Sequence, residues 1–123
     1  VNPSPAGRLP ADLVRRFDVA IVNETELEGL GADLPPAVVL TLGAAGARIL
    51  PDGPALPALP AQVVDTTGAG DSLAGGLAAG LAEGLPLADA LRLGLAAASL
   101  CVERYGCQPA MPTRTEVDAR LGT

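Results

Sequence analysis

The 123-residue chain contains no histidine and no lysine. Without imidazole, Ser-His-Asp and Cys-His relays and every His-based metal site are excluded. Without lysine there is no Schiff-base chemistry and no P-loop, whose phosphate-binding Lys is obligatory. Aromatic residues are reduced to one Phe and one Tyr, leaving almost nothing on which single-stranded nucleic acid could stack. All cations are Arg, eight against fourteen acids for a net charge of -6, so no basic stripe exists for duplex binding and no nucleic-acid partner is expected. Two cysteines, Cys101 and Cys107, are too few for a disulfide framework or a zinc cage and read as reduced thiols of a cytosolic protein. No uncharged run approaches the roughly 18 apolar residues of a membrane span, so no membrane partner is expected either.

What is present is a core-forming composition. The chain is 49 % hydrophobic and 18 % charged, with apolar filling drawn from Ala, Leu and Val. Disorder is set aside, and the length suits one compact domain. The opening Val1-Asn2-Pro3-Ser4-Pro5 is a Pro-rich turn rather than a Met start or a secretory signal. The expectation is that the chain begins inside a larger protein.

Apolar runs of strand length alternate with helical patterns. Val19 to Val22 and Val38 to Leu42 read as buried parallel strands, with helical spacing at Pro10 to Arg16 and Glu24 to Leu30. Gly43-Ala44-Ala45-Gly46 is a turn into Ala47 to Leu50, and Asp52-Gly53 a second turn before Leu56 to Leu59. Both segments suit short antiparallel edge strands, where Pro54, Pro57 and Pro60 are tolerated. Gln62 to Val64 is expected as a last short strand. Leu73, Leu77 and Leu81 then mark a helix ended by Gly84, and Pro86 opens another that is apolar nearly all round from Leu93 to Val102 and closed by Gly106. Thr113 with Glu116 has the form of a capping box. The class is α/β, with a mostly parallel sheet and a short antiparallel edge.

The strongest chemical signal is Asp65-Thr66-Thr67-Gly68-Ala69-Gly70-Asp71. Gly68, Ala69 and Gly70 lie between a strand and a helix, so their N–H groups converge where an anion, phosphate above all, is favoured. A dinucleotide fingerprint needs a third glycine where Leu73 stands, which excludes it. Asp71 beside an anion site makes sense for phosphoryl transfer, as the group that takes a proton from the attacking nucleophile. The alternative is purely structural: Asp71 compensates the helix dipole and Thr67 caps the helix. Asn23 with Glu26 is open in the same way, since Asn followed three residues later by Glu is also a capping-box pattern.

Asp65 to Leu77 resembles the second signature of the ribokinase family of ATP-dependent sugar kinases, the PfkB type. Asn23-Glu24-Thr25-Glu26 and Thr41-Leu42-Gly43-Ala44-Ala45-Gly46 follow the family's order. Asn2-Pro3-Ser4-Pro5-Ala6 and Gly106-Cys107-Gln108-Pro109-Ala110-Met111-Pro112 are similar to its ribokinase branch. The likeness implies a ribokinase-like three-layer sandwich of which residues 1–123 are the C-terminal part. The sugar-recognition glycine motif and the small lid would lie in an N-terminal portion outside the chain.

The resemblance further implies phosphoryl transfer from MgATP to the 5-hydroxyl of ribose, with Asp71 as general base and Gly68, Ala69 and Gly70 as anion hole. Asn23, Thr41, Leu42, Gly43, Ala44, Ala45, Gly46, Gly70 and Asp71 would approach ATP. Asn23 and Glu26 would organise magnesium through water. Asp65, Thr67, Cys101, Arg104, Gly106 and Ala110 match a monovalent-cation site, potassium being the expected ion; Ala110 replaces the family's Ser, and Leu95 a polar residue near the nucleotide. ATP and a small sugar are the expected partners, the whole enzyme a cytoplasmic homodimer, and the 123 residues alone inactive. Another sugar or nucleoside kinase of the family, or a non-catalytic nucleotide-binding module, is the competing expectation.

Overall fold

The computed structural model describes all 123 residues, which divide into two compact units, Val1–Pro57 and Ala58–Thr123. The first unit carries a mixed four-stranded sheet in the order β1 (Val19–Val22), β2 (Ala37–Thr41), β3 (Ala47–Leu50), β4 (Ala55–Leu56). β1 and β2 are parallel, with Val22 opposite Leu40, while β2 with β3 and β3 with β4 are antiparallel. A short helix α1 (Ala11–Val14) precedes β1, and α2 (Glu24–Leu30) makes the crossover from β1 to β2. Ala20, Val22, Leu30 and Val38 form the buried cluster on which Leu27 and Leu40 pack. The continuous apolar runs thus become the parallel pair, and the two runs after them pair antiparallel, β3 inside the sheet rather than at its edge and β4 at the edge.

The second unit is helical: α3 (Ala69–Ala82), α4 (Leu87–Cys101) and α5 (Arg114–Leu121). Leu93, Ala96, Ala97 and Leu100 of α4 meet Val117 of α5 in its core. As the all-round apolar pattern predicts, α4 is the most buried helix, with Leu91 and Ala96 fully enclosed.

Three expectations are corrected. Gln62 to Val64 is not a strand: Val63 and Val64 are 64 % and 45 % exposed, and the Val64 N–H donates to the Val102 carbonyl rather than to a sheet. The run Leu56 to Leu59 shortens to Ala55–Leu56, because Pro57 has no N–H to continue the ladder. Helix α4 ends at Cys101, before Gly106, its C-cap Val102 turning its carbonyl to the entering chain; Gly106, at φ +89°, makes a later turn.

The capping box of α5 is formed as expected. The Glu116 carboxylate accepts from the Thr113 N–H at 2.7 Å and from the Thr113 hydroxyl at 2.9 Å, and pairs with Arg104. These contacts, the Thr113 N–H first and the Arg104 guanidinium next, draw the Glu116 carboxyl down from about 4.5 to about 2. A carboxyl depressed by folding adds stability above its unfolded value and loses that contribution as pH falls toward the folded one. The urea midpoint should therefore decline between about pH 4.5 and pH 2. In Glu116→Gln that decline should be visibly smaller, at the cost of a lower midpoint near neutrality.

Candidate active site

In the first unit, the candidate residues gather at the carboxyl ends of the parallel strands, where open α/β sheets bind ligands. Asn23 directly follows β1 and is the N-cap of α2. Its Oδ1 accepts the Glu26 N–H at 2.8 Å, and Glu26 Oε2 accepts the Asn23 N–H at 2.9 Å. The capping box is thus real, and it leaves Glu26 Oε1 and the Asn23 side-chain amide without a partner in the chain. Thr41 ends β2 beside them, its hydroxyl donating to the Val22 carbonyl at 3.2 Å. Leu42 then leads into a single 3-10 turn, Gly43–Ala45, closed by the Leu42 N–H to Gly46 carbonyl bond at 2.8 Å. Gly43, Ala44 and Ala45 are exposed at the tip. Asn23, Glu26 and Thr41 to Gly46 are therefore brought together.

In the second unit, the glycine loop opens α3. Gly68 is the N-cap in the left-handed region, φ +81°, and a Cβ there would lie 2.8 Å from Cys107 Sγ. Only glycine meets both demands. Thr67 is not the cap: no side chain caps this helix, which sets aside the structural alternative for Thr67. The Ala69 N–H is turned back to the Thr66 carbonyl at 3.2 Å, whereas those of Gly68, Gly70 and Asp71 donate to nothing in the chain. The free donors thus include the N–H of Asp71 itself, which motif reading passed over. Asp71 stands in the first turn, exposed, its carboxylate making no hydrogen bond within the chain. Beside it opens a cavity of about 210 Å³ into which Ser72, Gly75, Leu93 and Met111 face. The Ser72 hydroxyl is buried there without a partner.

The loop is seated on the segment following α4. Asp65 Oδ1 accepts the Thr67 N–H at 2.9 Å and Oδ2 the Gly106 N–H at 3.0 Å. Hydrogen bonding from Thr67, then from Gly106, holds the Asp65 carboxyl below its ordinary value. Cys101, fully buried, donates its thiol to the Thr67 carbonyl at 3.6 Å. Both thiols are free. The carbonyls of Arg104 and Gly106 accept no hydrogen bond, and Ala110 is fully buried in a 3-10 turn with no hydroxyl to offer. Asp65, Thr67, Cys101 and Gly106 are thus joined by direct bonds, and Ala110 is tied to Cys107 through its N–H at 3.1 Å. No three acidic, Cys or His side chains come together as a ready set of metal ligands.

The pfkB family carbohydrate kinase pattern matches residues 27–114. The chain belongs to that family. It is similar to the ribokinase of Lactococcus lactis subsp. lactis (strain IL1403), 37 % identical over 98 % of this chain and 44 % of the relative. An uncharacterized sugar kinase of Escherichia coli (strain K12), YegV, is 63 % identical over 50 % of this chain and 19 % of its own length. The structure of Arabidopsis thaliana ribokinase complexed with ribose and ATP superposes with a TM-score of 0.89 at 30 % identity, covering 99 % of this chain and 46 % of that one. The fold is the ribokinase-like α/β fold, and the chain spans under half the length of the curated ribokinases it matches.

Within this family loop, Gly68 and Gly70 have opposite sensitivities. Gly68→Ala should lower stability by ~1–2 kcal/mol from the left-handed backbone alone, and by more from the contact with Cys107. A Cβ at Gly70 meets nothing within 4 Å, so Gly70→Ala should be neutral or add up to about 1 kcal/mol. Urea denaturation of the two variants checks this; equal losses would mean that the loop does not rest on Cys107.

Proposed function

We propose that residues 1–123 are the C-terminal, phosphate-handling part of a sugar kinase that moves the γ-phosphoryl group of MgATP to the 5-hydroxyl of ribose, in the cytoplasm, with the sugar-binding and lid portion supplied by an N-terminal part. The observation that carries this reading is a free carboxylate, Asp71, directly after the unpaired Gly70 N–H at the start of a 14-residue helix. A carboxylate there opposes a resting phosphate and is useful when a neutral hydroxyl must lose a proton as it attacks.

In the proposed step, the sugar oxygen forms a bond to the γ-phosphorus while the bond to the β–γ bridging oxygen breaks and ADP departs. Asp71 accepts the hydroxyl proton. The free N–H groups of Gly68, Gly70 and Asp71 meet the charge on the transferring group, and Ala69 shapes the loop between them. Thr41 to Gly46 offers an exposed turn along which the nucleotide can lie. Magnesium, when bound, would offset phosphate charge; Glu26 Oε1, an acceptor, fits a water-mediated hold, since magnesium keeps much of its hydration, while the Asn23 side-chain NH2, a donor, suits a phosphate oxygen. For a monovalent cation the donor set fits as well: the Asp65 carboxylate with the carbonyls of Thr67, Cys101, Arg104, Gly106 and Ala110.

A second reading, in which the acceptor is another sugar, is kept open by the 63 % identity over half of the chain with YegV, whose name says sugar kinase and not ribokinase. In the whole protein, assayed for ADP release with MgATP over a panel of pentoses, hexoses and nucleosides, ribose should give the highest kcat/KM. A different preferred acceptor would move the assignment to the second reading. Asp71→Asn should retain ATP binding and lose roughly 10²- to 10⁴-fold in kcat. Unchanged turnover would leave Asp71 a helix-terminus acid and remove the mechanism.

Potassium should raise kcat/KM at constant ionic strength, at a lower concentration in Ala110→Ser, which restores a hydroxyl. No response from either protein would delete the cation from the proposal.

A further inference from the structure

The segment that enters the glycine loop has no sheet to hold it. The Val64 and Asp65 N–H groups share one acceptor, the Val102 carbonyl, at 2.7 and 3.1 Å. That carbonyl belongs to the C-cap of α4, one of the acceptors that a helix end leaves unpaired. Gln62 is held differently, its N–H donating to the side chain of Glu103 at 3.1 Å.

Glu103 is fixed from its other side by Arg120, in the last turn of α5, whose guanidinium donates to Oε2 at 2.6 Å. The same guanidinium reaches the Pro60 carbonyl at 3.2 Å and the Ser99 hydroxyl at 3.3 Å. With side chains 23 % and 28 % exposed, Arg120 and Glu103 are the most sheltered ion pair of the chain and the one least weakened by solvent. Arg120, followed by the Gln62 N–H, keeps the Glu103 carboxyl below its ordinary value, so it is charged at neutral pH. Beyond Gln62, the bonds of Val64, Asp65 and Thr67 to residues 101–106 continue the contact up to Gly68.

We infer that Glu103 is a positioning residue for the Gly68–Gly70 loop: it holds the entering segment through the Gln62 N–H and is itself held by Arg120. It touches no substrate and acts through the backbone of residues 62–67. Its effect on turnover rests on the kinase reading above; its hold on the segment rests on the geometry alone.

Amide hydrogen exchange on the parent chain, Glu103→Ala, Glu103→Gln and Arg120→Met tests this. In Glu103→Ala, exchange at the hydrogen-bonded N–H groups of Gln62, Val64, Asp65, Thr67 and Ala69 should quicken by about 2- to 30-fold, while the strands Val19–Val22 and Ala37–Thr41 keep their protection. Glu103→Gln, whose amide oxygen can still accept the Gln62 N–H, should recover most of it, and Arg120→Met should fall between. In the whole enzyme, Glu103→Ala should lower kcat over a similar range with KM for ATP and sugar within about two-fold of the parent. Unchanged exchange at Gln62–Gly70, or an equal rise throughout the second unit, would overturn the inference, as would faster exchange with unaltered kcat. A parent without sugar-dependent ADP release would sink the kinase reading, and exchange at Gln62–Gly70 would still decide whether Glu103 holds the segment.

Discussion

Helices α3 and α4 touch backbone to backbone, and the site in the second unit depends on that contact. A Cβ on Gly94 would lie 2.6 Å from the Leu73 carbonyl oxygen, one on Gly76 2.9 Å from the Gly94 Cα, and one on Gly80 2.8 Å from the Ala90 Cα. Each glycine inside a helix costs about 1 kcal/mol relative to alanine. The close approach offsets that cost by enclosing Leu73, Leu77 and Leu91, all nearly fully buried. Once the two backbones are locked, the start of α3 cannot move independently of α4.

The other end of α4 completes the arrangement. Its last turn and the residues after it supply the carbonyl of Val102, the thiol of Cys101, the N–H of Gly106 and the sulfur of Cys107, all engaged by residues 64–68. One helix therefore sets the direction of α3 along its length and receives the loop at its terminus. Cys101 serves here as a small buried group of weak polarity and Cys107 as a half-buried one beside Gly68, both as free thiols.

What could be read in advance was local. Val19–Val22, Glu24–Leu30 and Ala47–Leu50 appear at the expected bounds, because apolar runs and the Asn23 and Thr113 capping boxes are signals carried within a few residues. Gln62 to Val64 looked like a strand because two adjacent valines favour extended backbone; the partner of that backbone, a helix C-cap some forty residues on, leaves no mark nearby in the sequence. The same holds for the site. Asp71 and the glycines were legible from type and spacing, and their family resemblance is supported by the match over residues 27–114. That Ala69 spends its N–H on Thr66 while Asp71 keeps its own free depends on where the first helical turn closes, which composition does not determine. Glu103 and Arg120 are unremarkable charges until α5 folds back across α4.

Charge accounting explains why loop geometry matters so much in this chain. With no lysine and no histidine, only arginine could meet a phosphate with a cationic side chain. In the second unit the four arginines are already committed: Arg92 to Asp89, Arg104 to Glu116, Arg114 to Glu83 and Asp118, and Arg120 to Glu103. What this unit can offer an anion is therefore the dipole of α3 and the N–H groups of Gly68, Gly70 and Asp71. Backbone donors act only at hydrogen-bond range and only along fixed directions, whereas a flexible cation can follow its ligand. A chain that relies on them must hold its backbone closely, and the bonds of Asp65, Cys101 and Glu103 around the loop supply that hold.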